Sequence, residues 1–70
     1  MILILGEASI KNMRGTVRLL KKAVKNRTAD AKDWHAKGDP KLATMHEVAA
    51  EYAGAFARYL ETLLRAVTGD

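Results

Sequence analysis

The feature that most constrains this fold is a break near the middle of the chain, Gly38-Asp39-Pro40, between two long segments with helical spacing of apolar residues. Glycine is favoured just past a helix end because it adopts positive φ without strain. Aspartate is a strong N-cap, and proline suits the first helical position, where its missing N–H costs nothing. The break predicts that one helix ends near residue 37, that residues 38–39 form the turn, and that a second helix begins at Pro40.

Both segments carry apolar residues at steps of three and four, which is the period of an α-helix and not of a strand. In the first segment these residues are Ile10, Met13, Val17, Leu20 and Val24, followed by Ala31 and Trp34. In the second they are Met45, Ala49, Tyr52, Phe56, Tyr59, Leu63 and Ala66. The spacing predicts helix 1 over about 9–37, with Ser9 as its N-cap, and helix 2 over about 40–68, with Gly69 as its stop.

The predicted fold class is all-α: an antiparallel two-helix hairpin over residues 9–70 that assembles as a homo-oligomeric bundle of the four-helix type. A chain of 70 residues obtains only a few kcal/mol from its own core, and without Cys it has no disulfide to add. The apolar face of helix 2 covers about half of its circumference, which is more than one neighbouring helix can cover. We therefore expect a homodimer first. The predicted oligomer interface consists of Met45, Ala49, Tyr52, Phe56, Tyr59 and Leu63.

Residues 1–8 have two interpretations that the sequence leaves open, an extended apolar arm or the first turn of helix 1. The apolar run Met1–Leu5 is only five residues long. A secretory signal needs a longer apolar stretch, and a membrane span needs about 20 apolar residues. We therefore expect a cytoplasmic protein.

The charge of helix 1 is the strongest indication of function. The chain has 12 Lys and Arg against 8 Asp and Glu, and no acidic residue occurs between Ser9 and Thr28. Six basic residues fall on one stripe, about 100° around the helix from the apolar stripe. They are Lys11, Arg14, Arg18, Lys21, Lys22 and Lys25. Like charges at this spacing repel each other, so the stripe indicates a phosphate-bearing partner. The alternative is that Glu47, Glu51, Glu61 or a partner chain neutralises it.

The distribution of aromatic residues indicates which kind of anionic ligand the basic stripe would bind. Proteins that bind single strands interleave aromatic side chains with positive charge so that bases can stack. The four aromatic residues all lie outside the basic stripe, which favours backbone contact with duplex DNA or structured RNA. Binding to an anionic membrane surface ranks lower, because the apolar stripe of helix 1 is more simply used inside the hairpin.

The sequence predicts no enzyme, no metal site and no cofactor. His46-Glu47 starts a zinc-protease motif, but Ala50 stands where the second histidine would be. His35 lies near three aspartates of the turn region at a spacing that matches no known ligand pattern. The chain also lacks a glycine-rich phosphate loop and a nucleophile placed beside a base.

Two hairpin families resemble this pattern. Rop-type plasmid regulators are similar in length, hairpin and basic helix, which implies a dimeric four-helix bundle that binds RNA along one face. The run Trp34–Gly38 resembles the turn of secreted WXG-type hairpins, with two more residues between Trp and Gly. The leading hypothesis is a non-enzymatic oligomer that binds nucleic acid through the basic stripe. The second is a structural or adaptor protein of the phage, secretion or toxin–antitoxin type, in which helix 2 and the N-terminal arm mediate self-assembly or bind another protein.

Overall fold

The computed structural model describes residues 6–69, which form two α-helices, α1 (Glu7–Ala36) and α2 (Pro40–Thr68). The helices pack against each other as an antiparallel hairpin that measures 49 × 20 × 15 Å. The predicted all-α hairpin is thus confirmed. Within the described residues, neither helix is long and apolar enough to cross a membrane.

The start of α1 differs from the sequence-based expectation. The helix begins at Glu7, so Ser9 lies in its first turn instead of capping it. Gly6 occupies the N-cap position, where no side chain caps the free N–H groups. Of the segment 1–8 that was predicted as an arm or first turn, residues 1–5 lie outside the described part of the chain.

The turn between the helices has the geometry that its residue types favour. Gly38 has a φ of 81°, and its N–H donates to the carbonyl of His35 at 3.1 Å. The N–H of Asp39 donates to the carbonyl of Trp34 at 2.9 Å, which completes a Schellman motif. The carboxylate of Asp39 then accepts from the Leu42 N–H at 3.1 Å, so one short turn both ends α1 and caps α2.

The hydrophobic core of the hairpin is small. Val17 of α1 and Leu60 and Leu64 of α2 form its buried cluster. Half-buried side chains packed against this cluster are Ile10, Met13, Leu20 and Leu63. Three buried alanines lie along the rest of the contact between the helices: Ala31, Ala43 and Ala57. Alanines keep the helix axes close, but they bury little apolar area, so most of the apolar surface of α2 stays outside this core.

Candidate nucleic-acid interface

The six predicted phosphate-binding residues of α1 are exposed and lie on one side of the helix. We call this set, Lys11, Arg14, Arg18, Lys21, Lys22 and Lys25, the basic face. Its residues recur at steps of three and four, so a helix with 3.6 residues per turn places them in one band. From Lys11 to Lys25 the band is about 21 Å long at 1.5 Å per residue.

The basic face is neutralised at one point only in the part of the chain that the structure describes. Lys21 Nζ lies 3.1 Å from Glu61 Oε1, and the two side chains are 61% and 30% exposed. An exposed pair of this kind contributes about 0–1 kcal/mol and is screened by salt. Glu61 is one of the carboxylates named in the alternative interpretation, whereas the carboxylate of Glu47 is bound by His35 Nε2 at 2.7 Å. The pair of Lys21 with Glu61 joins α1 to α2 across the hairpin.

The surface of the basic face is indented at Gly15. A Cβ built on Gly15 would meet only Arg18 Nη2, at 3.9 Å, so this side of α1 is open. Lys11 and Lys22 line the shallow depression together with Arg18, and Leu19 lines its far side. Without a side chain at Gly15, the helix backbone is accessible between three cationic side chains.

A second depression lies where the basic face meets the end of α2. Its lining includes Glu7, Lys11, Arg14 and Arg18 from α1 and Thr68 from the last turn of α2. The C-terminal end of a helix carries a partial negative charge, which favours cations nearby. The C-terminal end of α2 therefore partly offsets the repulsion among Lys11, Arg14 and Arg18. The side chains of these three residues remain exposed to solvent.

The side of α2 that faces away from the basic face carries a row of exposed apolar side chains. The exposed apolar stripe, as we name it, consists of Met45, Val48, Tyr52, Phe56 and Tyr59, which are between 41 and 74% exposed. The rings of Phe56 and Tyr59 stack, with centroids 6.3 Å apart and an interplanar angle of 18°. Of the other predicted interface residues, Ala49 is also exposed, whereas Leu63 is half-buried against the core of the hairpin. The hairpin therefore leaves most of the predicted interface uncovered.

The end of the hairpin near the turn holds both histidines. His35 binds Glu47, and His46 Nδ1 lies 3.2 Å from Arg27 Nη1 and 4.0 Å from the carboxylate of Asp30. These contacts tie the last turns of α1 to the first turns of α2. Among the residues described, no three His, Asp or Glu side chains are grouped to hold a metal ion.

Two features of the surface were missed by the sequence analysis. Leu19 is 70% exposed beside the basic face, because residues two apart lie about 200° from each other on a helix and Val17 is buried. The other is the side of α2 that packs on α1, where Ala43, Ala57 and Leu64 are buried at separations that are multiples of seven. Recurrence of small residues at this interval was the available signal, because small side chains allow close approach of two helices.

Comparison with known proteins finds no matching family, no matching curated protein and no matching solved structure.

Proposed function

We propose that this chain is a non-enzymatic, homo-oligomeric hairpin protein that binds the phosphate backbone of duplex DNA or structured RNA through its basic face. The observation that carries the proposal is the concentration of exposed cations on one side of α1, with Lys21 alone paired to a carboxylate within residues 6–69. Repulsion among these side chains costs stability in the free protein. Phosphates remove the repulsion and release their condensed counterions, which favours binding.

The chemistry of the basic face supports backbone contact without base readout. All six side chains are Lys or Arg, and the aromatic rings of α2 lie on another side of the hairpin. Lys and Arg bind phosphates of any sequence, so selectivity between duplexes would come from their shape. A basic face of about 21 Å spans less than one turn of a duplex, whose pitch is about 34 Å.

The test is the salt dependence of binding, measured by fluorescence anisotropy with a labelled mixed-sequence duplex, once as DNA and once as RNA. Five unpaired cations predict a slope of log K against log salt of about −4 to −5. That slope corresponds to a loss of about 500-fold in affinity between about 50 and about 200 mM salt. Absence of binding to both duplexes at the lower salt would reject the proposal.

A pair of charge reversals tests whether the basic face carries this binding. Arg18→Glu with Lys22→Glu removes two unpaired cations from the middle of the face, and we expect binding to fall by at least about 100-fold. The matched control is Lys37→Glu with Lys41→Glu, which changes the net charge equally but lies at the turn. Equal losses in both variants would show that only net charge matters.

The exposed apolar stripe supports a second candidate function, that of a structural or adaptor protein. Exposed contiguous apolar surface marks interaction sites in proteins of this size, and Tyr and Phe are enriched in such contacts. Under this reading the cations serve only to keep the assembly in solution. An oligomer that binds neither duplex at low salt would favour it over the first proposal.

A further inference from the structure

The basic face and the exposed apolar stripe point in opposite directions from the hairpin. The bond between Lys21 and Glu61 shows that the basic face lies on the same side of the hairpin as the polar side of α2. At 100° per residue, the exposed apolar stripe is about 180° around α2 from Glu61, and about 120° from the side that packs on α1. Seen along the hairpin, the stripe therefore faces away from the cations.

The occupant that best fits the exposed apolar stripe is a second copy of this chain. The chain exposes 5494 Å², whereas a compact monomer of its mass exposes about 4,300 Å². The elongated shape of the hairpin accounts for this excess, and it leaves the exposed apolar stripe accessible along α2, where a stable dimer would bury about 800 Å² on each partner. The stripe holds no charged side chain, so apposing two copies leaves no buried ion unpaired.

The charge distribution favours the same arrangement. Each copy has a formal net charge of +4, so two copies repel unless their cations are kept apart. Back-to-back packing through the stripes separates the two basic faces by two helix layers, about 20 Å. That distance exceeds the screening length of about 8 Å at physiological salt, so the repulsion between the faces is small.

We propose that this protein, as a back-to-back homodimer, bridges two nucleic-acid duplexes, one on each outer basic face. The inference rests on the proposed function and adds how the two copies are arranged and how many duplexes they bind. Because the two faces point in opposite directions, a duplex on one face does not obstruct the other.

A capture experiment tests the bridging. One mixed-sequence DNA duplex of about two helical turns is fixed to beads, and the same duplex with a fluorophore is supplied in solution with the wild-type protein at low salt. We expect the beads to retain at least about tenfold more labelled duplex than beads without protein. Tyr52→Glu with Phe56→Glu should return capture to background while binding to one duplex in anisotropy is retained. The charge reversal of Arg18 and Lys22 should abolish both signals.

A stoichiometry measurement makes the result independent of any variant. Light scattering on the wild-type protein with excess duplex should give the mass of one dimer with two duplexes. A dimer that saturates with one duplex and gives no bead capture overturns the bridging, while the proposed function stands. A protein that binds no duplex in anisotropy overturns the proposed function itself. Persistence of capture in the Tyr52 and Phe56 variant would show that the copies do not pair through the stripe, and would reject the back-to-back arrangement.

Discussion

Single residues decide where this chain turns, and Gly38 is the clearest case. Its φ of 81° lies in the left-handed region, where a Cβ is strained even though the surroundings are open. Gly38→Ala should therefore lower the free energy of unfolding by about 1 kcal/mol, measured by urea denaturation at a fixed protein concentration.

The matched control for Gly38 is Gly15, which lies within α1. There φ is helical, and an added Cβ meets only Arg18 Nη2, at 3.9 Å. Gly15→Ala should raise the free energy of unfolding by about 0.5–1 kcal/mol, because alanine loses less backbone entropy on folding. If both variants moved in the same direction, the positive φ at Gly38 would not be what the turn requires.

At the scale of the helices, the sequence predicted where each helix begins and ends better than it predicted which side of α2 packs on α1. The Gly38-Asp39-Pro40 break and the three-four spacing predicted two helices and the turn, because both are local properties of the backbone. The side of α2 that meets α1 could not be read from spacing, since apolar residues cover about half of that helix. Packing chose the side with small residues such as Ala43 and Ala57, which left Tyr52 outside.

The candidate site was also predictable only where it depends on local helix geometry. The basic face follows from helical geometry alone, so its six residues could be placed together before the fold was known. Its pairing with Glu61 depends on the register between α1 and α2, which no local pattern contains. The same holds for the bond between His35 and Glu47, which joins residues on different helices.

Because each helix packs through one side only, a leucine of α1 and a leucine of α2 differ widely in burial. Leu60 is 9% exposed and belongs to the buried cluster, whereas Leu19 is 70% exposed. Leu60→Ala should cost about 2–4 kcal/mol, a large share of the stability of so small a domain. Leu19→Ala, the same chemical change, should stay within about 0.5 kcal/mol. Circular dichroism during urea unfolding measures both, and a similar cost at the two sites would contradict the sides on which α1 and α2 pack against each other.

For the whole molecule, the elongated shape limits how much apolar surface the hairpin can bury, and so limits its stability. The hairpin is elongated, with a radius of gyration of 15.5 Å against about 11 Å for a compact domain of 70 residues. Within residues 6–69, three buried side chains are larger than alanine, so the core of the described hairpin lies close to the limit of what folds. Burial of the exposed apolar stripe against a second copy adds apolar area that the hairpin cannot bury by itself.

Stability that depends on a second copy must depend on protein concentration. We expect the thermal midpoint to rise over about a 100-fold increase in concentration, because mass action favours the dimer. Tyr52→Glu with Phe56→Glu should remove this dependence and halve the mass seen by light scattering, since two carboxylates would be buried unpaired at the interface. Thr44→Glu with Thr62→Glu adds the same charge at other exposed positions of α2 and should preserve the dependence. A midpoint independent of concentration, with a monomer mass throughout, would mean that the hairpin is stable alone and that the stripe serves a different partner.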